Sequence, residues 1–523
     1  MNRNGPRLFS FSAIALVAVG AAGLTAIAAM IHPVNDDDTF HLQCIWLTAQ
    51  GYVPYRDFFA GHPPGFWILA FPMAWLPSCP SQFLVLGRLL LSAAFGGTVW
   101  IAGRLTAARG WQAILLGVLA VGVMVDTQWF LFRVAYVEVF LVFVHLWLLN
   151  RAASSSRTVL FSLLAAVAMG LICSMSVRGV FFLPIQPLFL ILILHRDRRR
   201  LGRALGGWVL GCLLAALPAA IYLTMHELWR EAWTWIVVFP TTLNVLKSKF
   251  PADVRTVGLV VLGIAGLAAL AADRRLPLST RQLLTVAWIA GFVYYLLNPL
   301  RIKYNLVHIY MLSAMLAAVI PFVILDRLRI GQRAKRRLVA VGVLVLGVAL
   351  VPIVSPRLAY YERMSRKREI LRMQLDVLDW LNEVSDGEGV VCVDPYHPVL
   401  CPNATFLRGS WQYYEWLDNP LIQQRLHGFA EKVVQLKPPV IAAAPWRETV
   451  KGRDLIQRFQ QCQVIDDKQA ARLRELIATD YVEVVFPMLS PESEIIAGNS
   501  FWIRSDRLDA CPIPQPYLLG RSP

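Results

Sequence analysis

The sequence predicts a polytopic α-helical membrane protein of about eleven transmembrane helices, followed by a small C-terminal α/β domain on the far side of the membrane. Three observations carry this. Hydrophobic residues make up 57% of the 523 positions and charged residues only 16%. A soluble globular chain is usually about 45–50% apolar and about 25% charged. The apolar residues also gather in long runs, and the basic residues fall between those runs in an alternating pattern.

The runs cover residues 9–31, 83–103, 111–125, 135–149, 158–175, 180–194, 204–224, 256–272, 282–298, 306–325 and 338–354. A segment crossing a bilayer must satisfy its own backbone hydrogen bonds, so each run is expected to be a helix. The first run follows Arg3 and Arg7. It is longer than the apolar core of a cleavable signal peptide, about 7–15 residues, so a retained first helix is expected.

Every second link is basic. One set holds Arg104 and Arg109; Arg151 and Arg157; Arg196, Arg198, Arg199, Arg200 and Arg203; Arg274, Arg275 and Arg281; and a cluster from Arg327 to Arg337. The other set holds few cations, among them Arg56, Arg133, Arg178, Arg301 and Lys303. Basic links face the cytoplasm. The N-terminus is therefore expected inside, and an odd number of spans puts the C-terminus outside. The net charge of +16 is accounted for by these links. Nucleic acid is not expected as a partner, since no nucleic-acid-binding motif accompanies the charge. Membrane lipid is.

Two outer links are long. The first, residues 32–82, begins with Asn35-Asp36-Asp37-Asp38 and continues through a stretch, 39–50, patterned as an interfacial amphipathic helix. The second, residues 226–255, carries Trp229, Trp233 and Trp235, which suit the headgroup belt. After Pro356 the composition changes. A charged amphipathic helix is expected at 363–384, and further helices at 420–436 and 468–477. Short apolar runs at 389–393, 440–444, 481–486 and 501–504 suggest strands. Cys392, Cys401, Cys462 and Cys511 lie in this part. They allow two disulfides, a 392–401 pair being favoured, or four free thiols.

The residues able to do chemistry cluster on the outer side. Asp36, Asp37 and Asp38 stand directly after the first helix. A carboxylate there can act as a general base or hold a divalent metal; it can equally cap the helix that follows. No other cofactor is indicated. Downstream, Gly51, Pro54, Tyr55, Asp57 and the His62-Pro63-Pro64-Gly65 run fix a loop geometry, and such loops often carry function. Arg133, Arg178, Arg301 and Lys303 all sit where an apolar run meets the outer surface. A lipid phosphate would explain them, as would snorkelling to headgroups. Glu138 lies inside the fourth run, where an acid is a functional candidate or half of a buried ion pair.

The acids after the first helix, followed by G-x-x-P-Y-x-D-F at 51–58 and H-P-P-G at 62–65, resemble the C-type membrane glycosyltransferases. That group includes the protein O-mannosyltransferases and the lipid A aminoarabinose transferase. The motif match covers residues 35–67, and the general layout matches over the whole chain. The resemblance implies a polyprenyl-phosphate sugar as donor, transfer at the outer membrane surface, and a lipid, glycan or protein as acceptor. It implies that a first-loop acid is the catalytic base or organises the acceptor, with Asp37 favoured as base and Asp38 second, and Glu138 as the further acid of the fourth span. Relatives with Lys-Pro-Pro use the lysine on the donor phosphate; this chain has His62 there, and Phe40 where some relatives carry an arginine. Topology, not alignment, offers Arg178, Arg301 or Lys303 for the phosphate, with Tyr55 and Arg133 as further substrate contacts.

A transporter or lipid flippase is the alternative reading. Transporters often carry internal repeats and broken midplane helices; no repeat is visible here, and the acids cluster at the outer surface. An enzyme of the O-antigen ligase type would place its decisive residues between late spans, whereas the largest outer segment here is terminal. A non-catalytic relative that presents its C-terminal part also remains open. The expected setting is a bacterial inner membrane.

Overall fold

The computed structural model describes residues 5–242, 254–297, 303–327, 364–391, 417–442, 455–485 and 500–511, with 400, 402 and 513. It is mostly helical. The first ten apolar runs lie in helices: α1 (Gly5–Ala29), α4 (Pro80–Leu105), α5 (Trp111–Thr127), α6 (Val134–Ser154), α7 (Thr158–Met175), α8 (Ile185–Leu194), α9 (Arg198–Met225), α12 (Val254–Ala272), α13 (Leu278–Leu297), and the pair α14 (Val307–Ala317) and α15 (Ile320–Arg327). The run at 338–354, the eleventh expected span, lies outside the described residues. Among the described residues, six helices are long and apolar enough to cross a membrane.

The chain divides into two compact units. The first is built from residues 1–29, 88–221 and 245–363. In it α6 pairs with α7, α12 with α14, and α5 with both α1 and α14. Hydroxyls inside these helices are satisfied locally. Thr25, Thr98, Thr106 and Thr127 each donate to the carbonyl four residues back, so they add no unpaired polar group to the interior. Arg88 is buried, and its Nη1 donates to the Ala29 carbonyl at 2.7 Å. Ala29 closes α1, so this cation meets the negative end of a helix and takes up one of its orphan carbonyls.

Small residues let α7 and α9 approach closely. Gly207, Gly211 and Ala215 repeat every fourth residue along α9. A Cβ added at Gly211 would stand 2.5 Å from the Leu163 carbonyl oxygen and 2.6 Å from the Ala166 Cβ; one added at Gly170 would stand 2.6 Å from the Ala215 Cβ. This is the small-xxx-small packing that substitutes, in lipid, for a hydrophobic driving force.

The second unit gathers residues 30–87, 222–244 and 364–523. It holds α2 (Asp36–Ala49), α3 (Gly65–Ala70), α10 (Trp229–Trp233), α11 (Phe239–Thr242) and a long amphipathic helix, α16 (Met364–Ser385). Its strands are β1 (Val440–Ala442), β2 (Tyr481–Val485) and β3 (Ser500–Arg504), in the antiparallel order β1-β3-β2. Val391 bridges Ile441. Cys462 and Cys511 are free thiols; Cys392 and Cys401 lie outside the described residues.

Three local expectations change. Residues 39–50 were read as a helix lying in the interface, but His41, Leu42, Gln43, Cys44, Ile45 and Leu47 are all buried: α2 is packed on every side. The helix at 420–436 breaks at Gly428, which takes φ +73, a conformation glycine adopts without steric cost. Trp229 and Trp233 are 56% and 62% exposed, as a headgroup belt asks, but Trp235 is 2% exposed and packs edge-on against Phe59 at 5.3 Å.

If the α7–α9 contact holds these spans together, Gly211→Leu will lower the thermal unfolding midpoint in detergent by an amount corresponding to about 1–3 kcal/mol of overpacking. Leu213→Ile, at an exposed position, will leave it within about 0.5 kcal/mol. Equal midpoints for the two variants would remove the packing explanation.

Candidate active site

The second unit carries the acids that follow α1. Asn35 is the N-cap of α2, and its Oδ1 accepts the Asp37 N–H at 3.0 Å. Asp38, at the third helical position, returns its Oδ2 to the Asn35 N–H at 3.1 Å. This capping box explains why the helix starts here. It also divides the acids. Asp38 is buried and committed to the cap; Asp37 is half-buried on the same turn. Asp36 opens the helix, and its side chain lies outside the description.

Downstream the loop is tightly pinned. Tyr55 has φ +68, costly for a side chain of its size, and the surrounding bonds compensate. Its N–H donates to the Phe58 carbonyl at 2.9 Å and its hydroxyl to the His62 carbonyl at 2.6 Å. Burial pushes this phenol well above its usual range, so it stays a donor. Tyr55, expected as a substrate contact, is wholly buried and holds the loop through these bonds. Asp57 accepts from the Val53 N–H at 2.7 Å and pairs with Arg56 at 3.0 Å. Desolvation raises its carboxyl, but the Arg56 guanidinium, the Val53 amide and His226 outweigh that and hold it below its ordinary value. His62 lies 5.6 Å from His41, ring to ring, and His41 stacks on Trp67 at 5.5 Å.

The first unit holds a separate polar cluster. Glu138, in the second turn of α6, is wholly buried. Its Oε1 lies 3.7 Å from Arg178 Nη1, and its Oε2 lies 3.6 Å from His308 Nε2. Arg178 stands on the 3₁₀ turn Val177–Phe181, whose start is fixed by Ser176 Oγ accepting the Arg178 N–H at 3.3 Å. His308 stands on the first turn of α14, also buried, with the Phe182 ring at 5.1 Å. Neither Glu138 oxygen and neither His308 nitrogen is in hydrogen-bonding geometry with a described residue; the Ser176 hydroxyl acts on Glu138 from beyond it. A buried carboxylate is costly unless a cation stands near, and Arg178 is that cation.

Of the other expected residues, Arg133 precedes α6 and is buried, so it does not snorkel. Lys303 opens a 3₁₀ turn, Lys303–Leu306, with its side chain outside the description; Arg301 lies outside it entirely. Among the described residues no group of three or more His, Cys, Asp or Glu is gathered to hold a metal ion. His308 was missed in the sequence. The signal was present: an ionisable residue near the start of an apolar run.

No protein-family model matches the chain, and no curated protein matches it. Solved structures do. ArnT from Cupriavidus metallidurans in the apo state is similar at a TM-score of 0.57, with 14% identity, over 96% of this chain and 99% of that one. The Archaeoglobus fulgidus oligosaccharyltransferase tethered to an acceptor peptide is similar at 0.52, with 14% identity, over 97% and 76%. The chain has the fold of the C-type membrane glycosyltransferases. At these identities the likeness is one of fold, and function is argued from the site. On this C-type fold the chain sets its acids at 36–38 and 138, and a histidine at 62.

The ion pair makes a specific prediction. Glu138→Leu removes the carboxylate 3.7 Å from Arg178 and will destabilise the chain by about 0.5–3 kcal/mol, read as thermal unfolding in detergent. Adding Arg178→Met to the same chain will restore most of the loss. A double variant no more stable than Glu138→Leu alone would mean that the two charges are not coupled.

Proposed function

We propose that this chain is a membrane glycosyltransferase that moves a sugar from a polyprenyl-phosphate carrier to a lipid, glycan or protein acceptor at the outer face of the membrane. The observation that carries the reading is the division of the acids at the start of α2, on a C-type fold. Asp38 closes the cap, and Asp37, the acid that the family resemblance puts first as base, is half-buried on the same turn.

The chemistry follows from the residues. Asp37 takes the proton of the acceptor hydroxyl, and that oxygen bonds to the anomeric carbon. The bond from the same carbon to the phosphate oxygen breaks, and the lipid phosphate leaves with the electron pair. One displacement inverts the anomeric centre. Cations aimed at the departing charge lower the barrier. Arg178 is the first candidate, with His62, Arg301 and Lys303 beside it in the proposal. The further parts of the reading are a retained first helix with the N-terminus in the cytoplasm of a bacterial inner membrane, a membrane domain over 1–355, and an extracytoplasmic domain over 356–523.

The test is turnover of a panel of radiolabelled polyprenyl-phosphate sugars by purified protein. One donor is expected to be consumed, and Asp37→Asn is expected to reduce kcat by about 10²-fold or more, the scale of losing a general base. Asp38→Asn, which keeps an acceptor oxygen for the cap, is expected to cost far less. A chain that consumes no donor, or one indifferent to Asp37→Asn, would contradict the reading.

A further inference from the structure

The helix α16 stands more than 280 residues from the first outer loop in sequence, yet it binds both ends of that loop within the second unit. Gln374 is wholly buried, and its Oε1 accepts the Val34 N–H at 2.7 Å across 340 residues. Asp379 Oδ1 accepts the Ser81 N–H at 2.9 Å across 298 residues. Val34 is the residue just before the Asn35 cap; Ser81 lies in the first turn of α4. The loop therefore enters and leaves at two acceptors little more than one helical turn apart, about 7.5 Å along α16.

The two bonds do different things. At Ser81 a carboxylate meets an orphan N–H at the positive end of α4, which is favourable for both. At Val34 the bond completes a series. The Val34 N–H goes to Gln374, the Asn35 N–H to Asp38 and the Asp37 N–H to Asn35. Three amides leading into α2 are thus held by side-chain acceptors, and only the first of those acceptors comes from outside the loop. α16 is itself anchored. Met373, Val377, Leu378 and Leu381 are buried, and Trp380 Nε1 donates to the Cys511 carbonyl at 3.2 Å.

We infer that Gln374 and Asp379 are positioning residues for the reaction: α16 closes the first outer loop and fixes the turn that presents Asp37. The inference rests on the proposed role of Asp37. It gives the C-terminal part of the chain a share in building the site, beyond any part in meeting an acceptor. A loop left open at either end has more conformations to lose each time the base is brought to its working geometry, and misplacement by about 1 Å can cost 10²-fold in rate.

The test uses the full chain and two readouts. Gln374→Met removes the acceptor at similar volume. It is expected to speed amide hydrogen exchange across residues 34–38 by about 10-fold or more, reflecting local opening. It should lower kcat by a similar factor, with donor KM changed less than about 2-fold and the thermal midpoint nearly unchanged. Asp379→Leu is expected to do the same at the Ser81 end, and Asp379→Asn, which keeps the acceptor, to restore both exchange and kcat. Wild-type exchange in Gln374→Met, or faster exchange with an unchanged kcat, would overturn the inference. So would a kcat loss matched by a general fall in the midpoint. If the wild-type chain turns over no donor, the functional reading fails by itself, and the exchange data alone decide whether α16 holds the loop.

Discussion

Within a bilayer no backbone amide can turn to water, and this requirement orders most of the structure. It makes every apolar run a helix and then demands a partner for each helix end that is buried. The Arg88 guanidinium meets the last carbonyl of α1. The Asn35–Asp38 box closes the start of α2, and Asp379 meets the start of α4. Threonines inside the spans return their hydroxyls to their own helices. With backbone and hydroxyls accounted for, the buried side chains that lack a partner in close hydrogen-bonding geometry among the described residues stand out, Glu138 and His308 among them.

Those two residues and Arg178 come from three separate elements, α6, a 3₁₀ turn and α14. A wholly buried carboxylate is a costly way to stabilise a fold, because desolvation offsets much of the Coulomb gain. An ionisable residue inside a span is a candidate functional group by default. The division between Asp37 and Asp38 has the same logic. One acid builds the turn and the other is carried by it. The strained Tyr55 and the paired Arg56 and Asp57 extend that rigidity along the loop.

Much of this was legible in the sequence, because the signals were local. Runs of apolar residues mark helices through composition alone, and the first ten runs fall in helices. The runs at 440–444, 481–486 and 501–504 overlap the three strands because short apolar, β-branched segments between turn signals have few other outcomes. The capping reading of the acids was visible as an alternative, since Asn and Asp before a helix are its usual cap. What escaped was long-range. The pairing of Glu138 with His308 depends on two helices meeting 170 positions apart. The polar residues of α2, His41 and Gln43, looked like an interfacial face; they are buried because other segments cover them. Trp235 looked like its exposed neighbours until Phe59 packed against it. Gln374, one neutral side chain in a charged amphipathic helix, has no local mark of its contact with Val34.

The central claim is that this fold receives a lipid phosphate. The most direct measurement is native mass spectrometry of the purified chain with a sugar-free polyprenyl phosphate, beside the uncharged polyprenol of the same length. The account predicts that the phosphate is retained saturably, at one per chain, and that the polyprenol is displaced by it, because cations such as Arg178 bind the headgroup and not the tail. Equal retention of the two lipids, or retention of neither, would contradict it.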